Sequence, residues 1–378
     1  MFPLFLIIPA AYFLLFILSY FWVDLNLTLV SWGPINQVIE GLKWLGYFNR
    51  PLSSRFYLVI ILLLVLIQIY LLFSRFIYKT NLRKLFLLAG GVVLIASLSY
   101  PFLSHDLFSY LFDAKIIWQY QQNPYHHPPN EFSADPWLRF MHWTHRTAPY
   151  GPVWLVYSLL PAVFSFSRFI LNFYGLKLLN GLVFFVAGWF LLKITNKDKK
   201  VFAYWFFNPF LLIEFLVNGH NDLLMISLFI AALFFYRYRR NILTFLLFLA
   251  SMLVKYITIL AWPLLLFRRR FYPWVILFAV FGLIGFAWQI DRFQPWYFTW
   301  LYLAFPLMKM TGFSWLVVFA FQTLLLIFKY QPFLATGSWE ATAYRSLFQT
   351  GLAALGMFFL TFLPIFRRLA GKLLKTSL

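Results

Sequence analysis

Continuous apolar runs about as long as a bilayer is thick recur along this 378-residue chain, among them Phe2 to Val23, Phe56 to Phe73, Leu85 to Leu103, Leu171 to Ile194 and Phe271 to Gln289. A helix crosses the hydrocarbon core with about 20 residues. Backbone in lipid must satisfy its own hydrogen bonds, so only helices and closed barrels span. These runs are continuously apolar rather than alternating, which excludes a barrel. The expected fold class is an all-α polytopic membrane protein, a bundle of about 11–13 transmembrane or half-membrane helices with a large external loop carrying amphipathic helices. The first run lacks a basic leader and a small-residue cleavage site, so it reads as a retained helix. Residues 1–378 are expected to form a single integral membrane domain, with no soluble domain and no internal repeat.

The net charge of +20 would suggest nucleic acid in a soluble protein. Here the basic residues cluster as KTNLRK (79–84), NKDKK (196–200), RYRR (237–240), RRR (268–270) and the tail from Arg367. Such clusters mark cytoplasmic loops under the positive-inside rule and face anionic headgroups, so no nucleic-acid partner is expected. There is no cysteine, hence no disulfide framework and no cysteine metal site.

Fixing those clusters in the cytoplasm sets the topology. The first run goes out, Phe56 to Phe73 returns, and Leu85 to Leu103 goes out again, delivering Ser104 to the external face of the plasma membrane. Pro152 to Phe166 is short and contains Pro161, so it dips into the outer leaflet or lies along it; Leu171 to Ile194 returns. Val201 to Val217 goes out, NGHND (218–222) is a tight external turn, and Leu223 to Phe235 comes back. RYRR and RRR then both demand the cytoplasm, yet only Asn241 to Phe267 separates them. One helix of that length would put its ends on opposite faces. Two half-helices meeting near Lys255 resolve the conflict, since broken backbone at depth is tolerated where it lines a protein cavity. Three further segments, near 297–308, 313–328 and 346–366, follow the external QPWYFTW, with both termini cytoplasmic.

The external loop 104–151 concentrates the polar chemistry. It holds five of the six histidines and four of the eleven acidic residues of a chain that is 63% hydrophobic. Ser104 is placed to cap a helix with Asp106 in its first turn, where the helix dipole favours an anion. Asp106, Tyr110 and Asp113 share a face at i, i+4 and i+7, while Leu107, Phe108, Leu111 and Phe112 can sit in the headgroup boundary. An ionised Asp at a membrane surface suits a general base taking a proton from a hydroxyl; the plainer reading is that Asp106 caps the helix. Asp113 could simply pair with Lys115 or Arg139. Asn123-Pro124-Tyr125 ends the helix, because residues before proline avoid the α region. His126, His127, His142, His145 and Arg146 follow, then Ala148-Pro149-Tyr150-Gly151-Pro152. His142 and His145 at i, i+3 would allow metal ligation on a helix, but no DxD, HExxH or HxxEH spacing accompanies them. They suit lipid phosphate or substrate hydroxyls better, and no cofactor or metal is expected. In NGHND, Asn-Gly suffices for the turn, leaving His220 and Asp222 to explain. Lys255, between two cytoplasmic clusters yet expected to face outward, is either a phosphate ligand or a snorkelling interface residue. Trp296, Tyr297 and Trp300 form an interfacial belt or a sugar-stacking wall.

Asp106…Tyr110…Asp113, NPY (123–125) and APYGP (148–152) together resemble bacterial membrane glycosyltransferases of the GT-C class. The likeness is to the polyprenyl-phosphomannose-dependent α-1,6-mannosyltransferase branch. FNPFLLIEFLVNGHNDLLM (207–225), LVKYITILAWPLLL (253–266) and QPWYFTWLYLAF (294–305) are similar to later blocks of that branch, in the same order. The resemblance implies a lipid-phosphate sugar donor, an inverting reaction and a catalytic Asp matching Asp106. Relatives often carry a second acidic residue beside the first, where this chain has His105. The expected function is therefore transfer of a hexose, mannose by resemblance, from a polyprenyl-phosphate donor to a hydroxyl of a glycan or glycolipid acceptor at the outer face. Lys255, Arg146, His145 and His220 would hold the donor phosphate. His105, Tyr110, Asp113, Asn123, Tyr125, Tyr150, Asn221, Asp222, Trp296 and Tyr297 would contact substrate. The rival readings are a flippase or transporter of lipid-linked sugars and a polymer ligase using a polyprenyl-pyrophosphate donor.

Overall fold

The computed structural model describes residues 2–24, 27, 32–263, 272–290, 292–308 and 312–338. These residues form helices and no strand. Among the described residues, five helices are long and apolar enough to cross a membrane, or six if one bent pair counts as a single span. The expected all-α polytopic architecture is what the chain adopts. The expected segment 346–366, the cluster 268–270 and the C-terminal tail lie outside the described residues.

The α-helices are α1 (Phe2–Ser19), α2 (Gly33–Lys43), α3 (Arg50–Phe73), α4 (Phe76–Lys79), α5 (Leu82–Leu98), α6 (Asp106–Trp118), α7 (Pro152–Phe164) and α8 (Phe169–Ile194). They continue with α9 (Lys199–Phe206), α10 (Pro209–Leu212), α11 (Asp222–Arg237), α12 (Asn241–Val254), α13 (Tyr272–Gln289), α14 (Gly312–Leu325) and α15 (Gln331–Thr336). Helices α1, α3, α5 and α8 pack in neighbouring pairs, with α11 between α8 and α12. Their outer faces expose large apolar side chains, such as Phe13 and Ile17 on α1 and Leu62, Leu66 and Phe73 on α3. That exposure is what a lipid-facing surface requires, since apolar side chains cost nothing in hydrocarbon.

Inside, polar side chains join the helices. Gln322 of α14 accepts hydrogen bonds from Tyr204 and Asn208, each at 2.7 Å. Gln68 of α3 reaches the Ala203 carbonyl, and the Tyr12 hydroxyl donates to the carbonyl of Phe207 at 2.9 Å. Such bonds connect helices where no water competes for them.

The run Val201–Val217 is not one straight helix. It bends by 44° between α9 and the stretch Pro209–Val217. Pro209 has no amide hydrogen to continue the ladder, and Asn208 caps the second piece through its side chain on the Phe210 amide. The second piece ends in a π-helical turn, Ile213–Val217. Its last carbonyls, of Leu216 and Val217, accept from the buried Lys177 ammonium of α8 at 2.6 and 2.7 Å.

The expected break near Lys255 is present. Helix α12 stops at Val254, Lys255 is extended (φ −153°, ψ 121°), and a 3₁₀ turn runs over Tyr256–Ala261. QPWYFTW is also 3₁₀, over Pro295–Leu303, so the expected segment near 297–308 is tightly wound and interrupted at Ala304 rather than a long helix.

Three local expectations need correction. Leu107, Phe108, Leu111 and Phe112 are buried, not set in a headgroup boundary; Phe108 stacks on Phe140, Phe169 and Phe173, which fixes the loop to α8. Helix α6 ends at Trp118, before Asn123-Pro124-Tyr125, with Gln121 turning the chain at φ 52°. Asp113 pairs with neither expected base, because Lys115 pairs with Asp135 at 2.5 Å and Arg139 with Asp24 at 3.0 Å.

Gly151 links two of the sequence blocks. Its amide donates to the Val254 carbonyl at 3.3 Å, and an added Cβ would lie 2.7 Å from the Leu253 carbonyl carbon and 2.9 Å from the Val254 oxygen. Those atoms are backbone and cannot swing aside. Gly151→Ala should therefore lower the thermal midpoint of the detergent-solubilised protein. Gly91→Ala, inside α5 with nothing within 4 Å of its Cβ, should leave it unchanged or raise it by up to about 1 kcal/mol in stability. Equal effects in the two variants would contradict this packing.

Candidate active site

The site forms where five elements meet: the N-terminus of α6, the turn after the π-helical stretch, the N-terminus of α11, the break after α12 and the 3₁₀ segment Pro295–Leu303. The turn can approach α6 closely because Gly219 has φ 77° and no side chain; a Cβ there would lie 2.8 Å from Leu107 Cδ1. Asp106 opens α6, and its amide donates to the Ser104 hydroxyl at 3.3 Å.

His220 sits between two carboxylates. Its Nδ1 lies 3.5 Å from Asp106 Oδ2 and its Nε2 lies 3.4 Å from Glu214 Oε2. These are ion-pair distances, and neither contact has hydrogen-bond geometry. The ring stacks on Trp296 with centroids 4.1 Å apart. Burial alone would push the imidazole pKa down, but the Asp106 and Glu214 carboxylates outweigh it and hold it up at about 9. Glu214 is buried and accepts from Tyr330 at 2.8 Å and from Asn218 at 3.2 Å.

A second ion pair lies alongside. Lys255 Nζ donates to both oxygens of Asp222 at 2.8 Å. The Trp300 indole donates to the same carboxylate, and the ammonium lies 5.4 Å from the centre of the Trp300 ring. Tyr297 stacks on Trp300 with centroids 4.4 Å apart. The Asn221 amide donates to Tyr110 at 3.4 Å, and Tyr110 packs edge-on against Tyr150. The sequence-expected Asp106, Tyr110, Tyr150, His220, Asn221, Asp222, Lys255, Trp296 and Tyr297 thus come from distant blocks into one cluster.

Other expected residues are placed differently. Arg146 donates to His145 at 3.3 Å and lies over the exposed Trp143 ring. Burial, then the Asp106 and Asp113 carboxylates, push the Tyr150 phenol well up, and the charge of Arg146 opposes this. Asn123 accepts from the Tyr125 amide at 3.0 Å in a turn, and the Tyr125 hydroxyl reaches the Tyr150 carbonyl at 2.7 Å. His105 packs on His142 with ring centroids 3.9 Å apart. Burial, followed by the neighbouring His142, pushes His105 down to about 4, so it is neutral at physiological pH. Burial pushes the Asp113 carboxyl up to about 8, and its Oδ2 has no hydrogen-bond partner. Among the described residues no group of three or more His, Asp or Glu side chains is arranged to hold a metal ion.

Sequence reasoning missed Glu214 and Tyr330. Glu214 carried a usable signal, since an ionisable residue inside the apolar run FNPFLLIEFLV marks a functional position by default. Tyr330 carried none, being one of 22 tyrosines.

A helical membrane protein with a carboxylate-rich polar cluster at the junction of broken helices is the class that fold and site define. The family model described as alpha-(1->6)-mannopyranosyltransferase, N-terminal domain, matches residues 19–268, and the chain belongs to that family. It is a glycosyltransferase of the mannosyltransferase type, in keeping with the GT-C class. No curated protein and no solved structure matches the chain significantly.

The Asp222–Lys255 pair makes a separable prediction. Removing one member of a buried pair leaves an uncompensated charge and costs about 3–5 kcal/mol. Lys255→Met should therefore lower the thermal midpoint, and adding Asp222→Asn should recover part of the loss. A double variant no more stable than Lys255→Met would show that the two charges do not depend on one another.

Proposed function

We propose that the protein transfers a hexose, mannose by family, from a polyprenyl-phosphate-linked donor to a hydroxyl of a glycan or glycolipid acceptor. Transfer takes place at the external face and inverts the anomeric centre, with Asp106 as general base. One observation carries this reading: the Glu214 and Asp222 side chains are 0% exposed and engaged, whereas Asp106 keeps 21% of its side-chain surface accessible. Of these three carboxylates, it is the one an acceptor hydroxyl can reach.

In the proposed step the Asp106 carboxylate takes the hydroxyl proton as the oxygen attacks C1 from the face opposite the phosphate. The C1–O bond breaks through an oxocarbenium-like state, and its electron pair leaves with the phosphate. A phosphate leaving group needs no general acid. Lys255 uses two N–H bonds on Asp222 and keeps a third, on a side chain 27% exposed, for a phosphate oxygen. Arg146 and His145, exposed on the external loop, add a second cationic group for the lipid phosphate. Neutral His105 suits sugar hydroxyls, and Trp296 and Tyr297 supply stacking faces. The rival ligase reading would have Arg and His lead the chemistry, whereas carboxylates dominate here.

Asp106→Asn keeps size but cannot accept a proton. It should lower kcat about 10²–10⁴-fold with donor Kd hardly changed, because the base acts on the acceptor. Lys255→Met should weaken donor binding as well as turnover. Normal turnover of Asp106→Asn with polyprenyl-phosphomannose would refute the assignment.

Topology is testable because the chain has no native cysteine. A cysteine introduced at the exposed Asn130 should react with an impermeant thiol reagent in intact cells, and one at the exposed Asn196 should not. The reverse pattern would remove the lipid-phosphate donor from consideration.

A further inference from the structure

The transfer step as written gives Glu214 no task, yet it is a fully buried carboxylate on a π-helical turn, a helical irregularity frequent at functional sites. Tyr330 and Asn218 satisfy its oxygens as hydrogen-bond donors, so its burial does not require His220. His220 is nevertheless held with one ring nitrogen toward Glu214 and the other toward Asp106. Ionised carboxylates only accept hydrogen bonds, and a neutral imidazole has a single N–H. With a carboxylate at ion-pair distance from each nitrogen, the doubly protonated cation is the form attracted to both.

We propose that Glu214 is a positioning residue for sugar transfer: acting through His220, it fixes an imidazolium against Asp106, which orients that carboxylate and balances its charge beside the donor phosphate. The inference rests on Asp106 being the base. The groups around His220 are consistent with it. Asp106 on α6 and Glu214 on the π-helical turn face the two nitrogens, and Trp296 covers one ring face. Tyr330 and Asn218 lie behind Glu214; Tyr110 and the Asp222–Lys255 pair lie to the side, where Lys255 is already matched by Asp222. The imidazole pKa of about 9 fits the same charge state. A cation with that pKa is present at neutral pH and is lost as pH rises through it. Glu214→Gln removes one of the two carboxylates that hold the proton, so loss should begin at lower pH. The unpartnered Asn218 Oδ1 can turn to accept from the new amide.

The test is the pH profile of kcat with polyprenyl-phosphomannose as donor, for wild type, Glu214→Gln, His220→Gln, the double variant and Asp106→Asn. Wild type should hold its activity to about pH 8.5 and fall near 9. In Glu214→Gln the alkaline limb should move down by more than about one unit, a tenfold change in proton affinity. With a shift of about one unit that variant should lose about fourfold between pH 7 and 8.5, and more for a larger shift, where wild type loses less than about twofold. His220→Gln should have no limb near 9, and adding Glu214→Gln to it should change nothing further. A wild-type profile in Glu214→Gln, or effects that add in the double variant, would overturn the inference while leaving Asp106 as base. If Glu214→Gln does not fold, His220→Gln decides alone: a limb still near 9 overturns the proposal. An active Asp106→Asn sinks the base assignment instead.

Discussion

The buried ammonium of Lys177, bonded to the carbonyls of Leu216 and Val217, is the interaction on which the rest of the site depends. A helix that ends at a buried position leaves its last carbonyls without intrahelical partners, and each needs another donor. Lys177 takes two of them from a neighbouring helix. The chain is then free to turn at Gly219, so Glu214, His220 and Asp222 project from one short stretch toward α6.

Charge explains why the side chains remain where the backbone puts them. Three carboxylates, Asp106, Glu214 and Asp222, face two cations, His220 and Lys255. In a low-dielectric interior an unpaired charge is costly, and each pair is held by the penalty of separating it. Lys255 is therefore held in place by Asp222. The aromatic residues complete the arrangement. Trp296 limits the tilt of the His220 ring, and Trp300 bonds the carboxylate that holds Lys255.

Much of the fold was legible because lipid imposes simple rules. Apolar length gave the helices, and the opposed basic clusters at 237–240 and 268–270 located the break at Lys255 before any contact was known. Asp106 was legible as an acid at a helix start in a polar loop. The path of the loop was less so: its phenylalanines resemble headgroup anchors in sequence, yet Phe108 and Phe140 stack on α8. Periodicity reports that a residue is apolar and not whether lipid or protein covers it.

The sequence by itself determined the helical membrane class, the clustering of polar chemistry between Ser104 and Pro152, and the family likeness. These follow from hydrophobic length, charge placement and local motif, properties that neighbouring residues define together. Only the tertiary structure decided the partners: His220 between Asp106 and Glu214, Lys255 on Asp222, Lys115 on Asp135 rather than Asp113. Asp106 and His220 stand far apart along the chain, and Tyr330 reaches Glu214 from still further away. Which ionisable groups meet is set by helix packing and the bend at Asn208-Pro209, and a charge in a low-dielectric interior responds to its nearest neighbours in space, not to those in sequence.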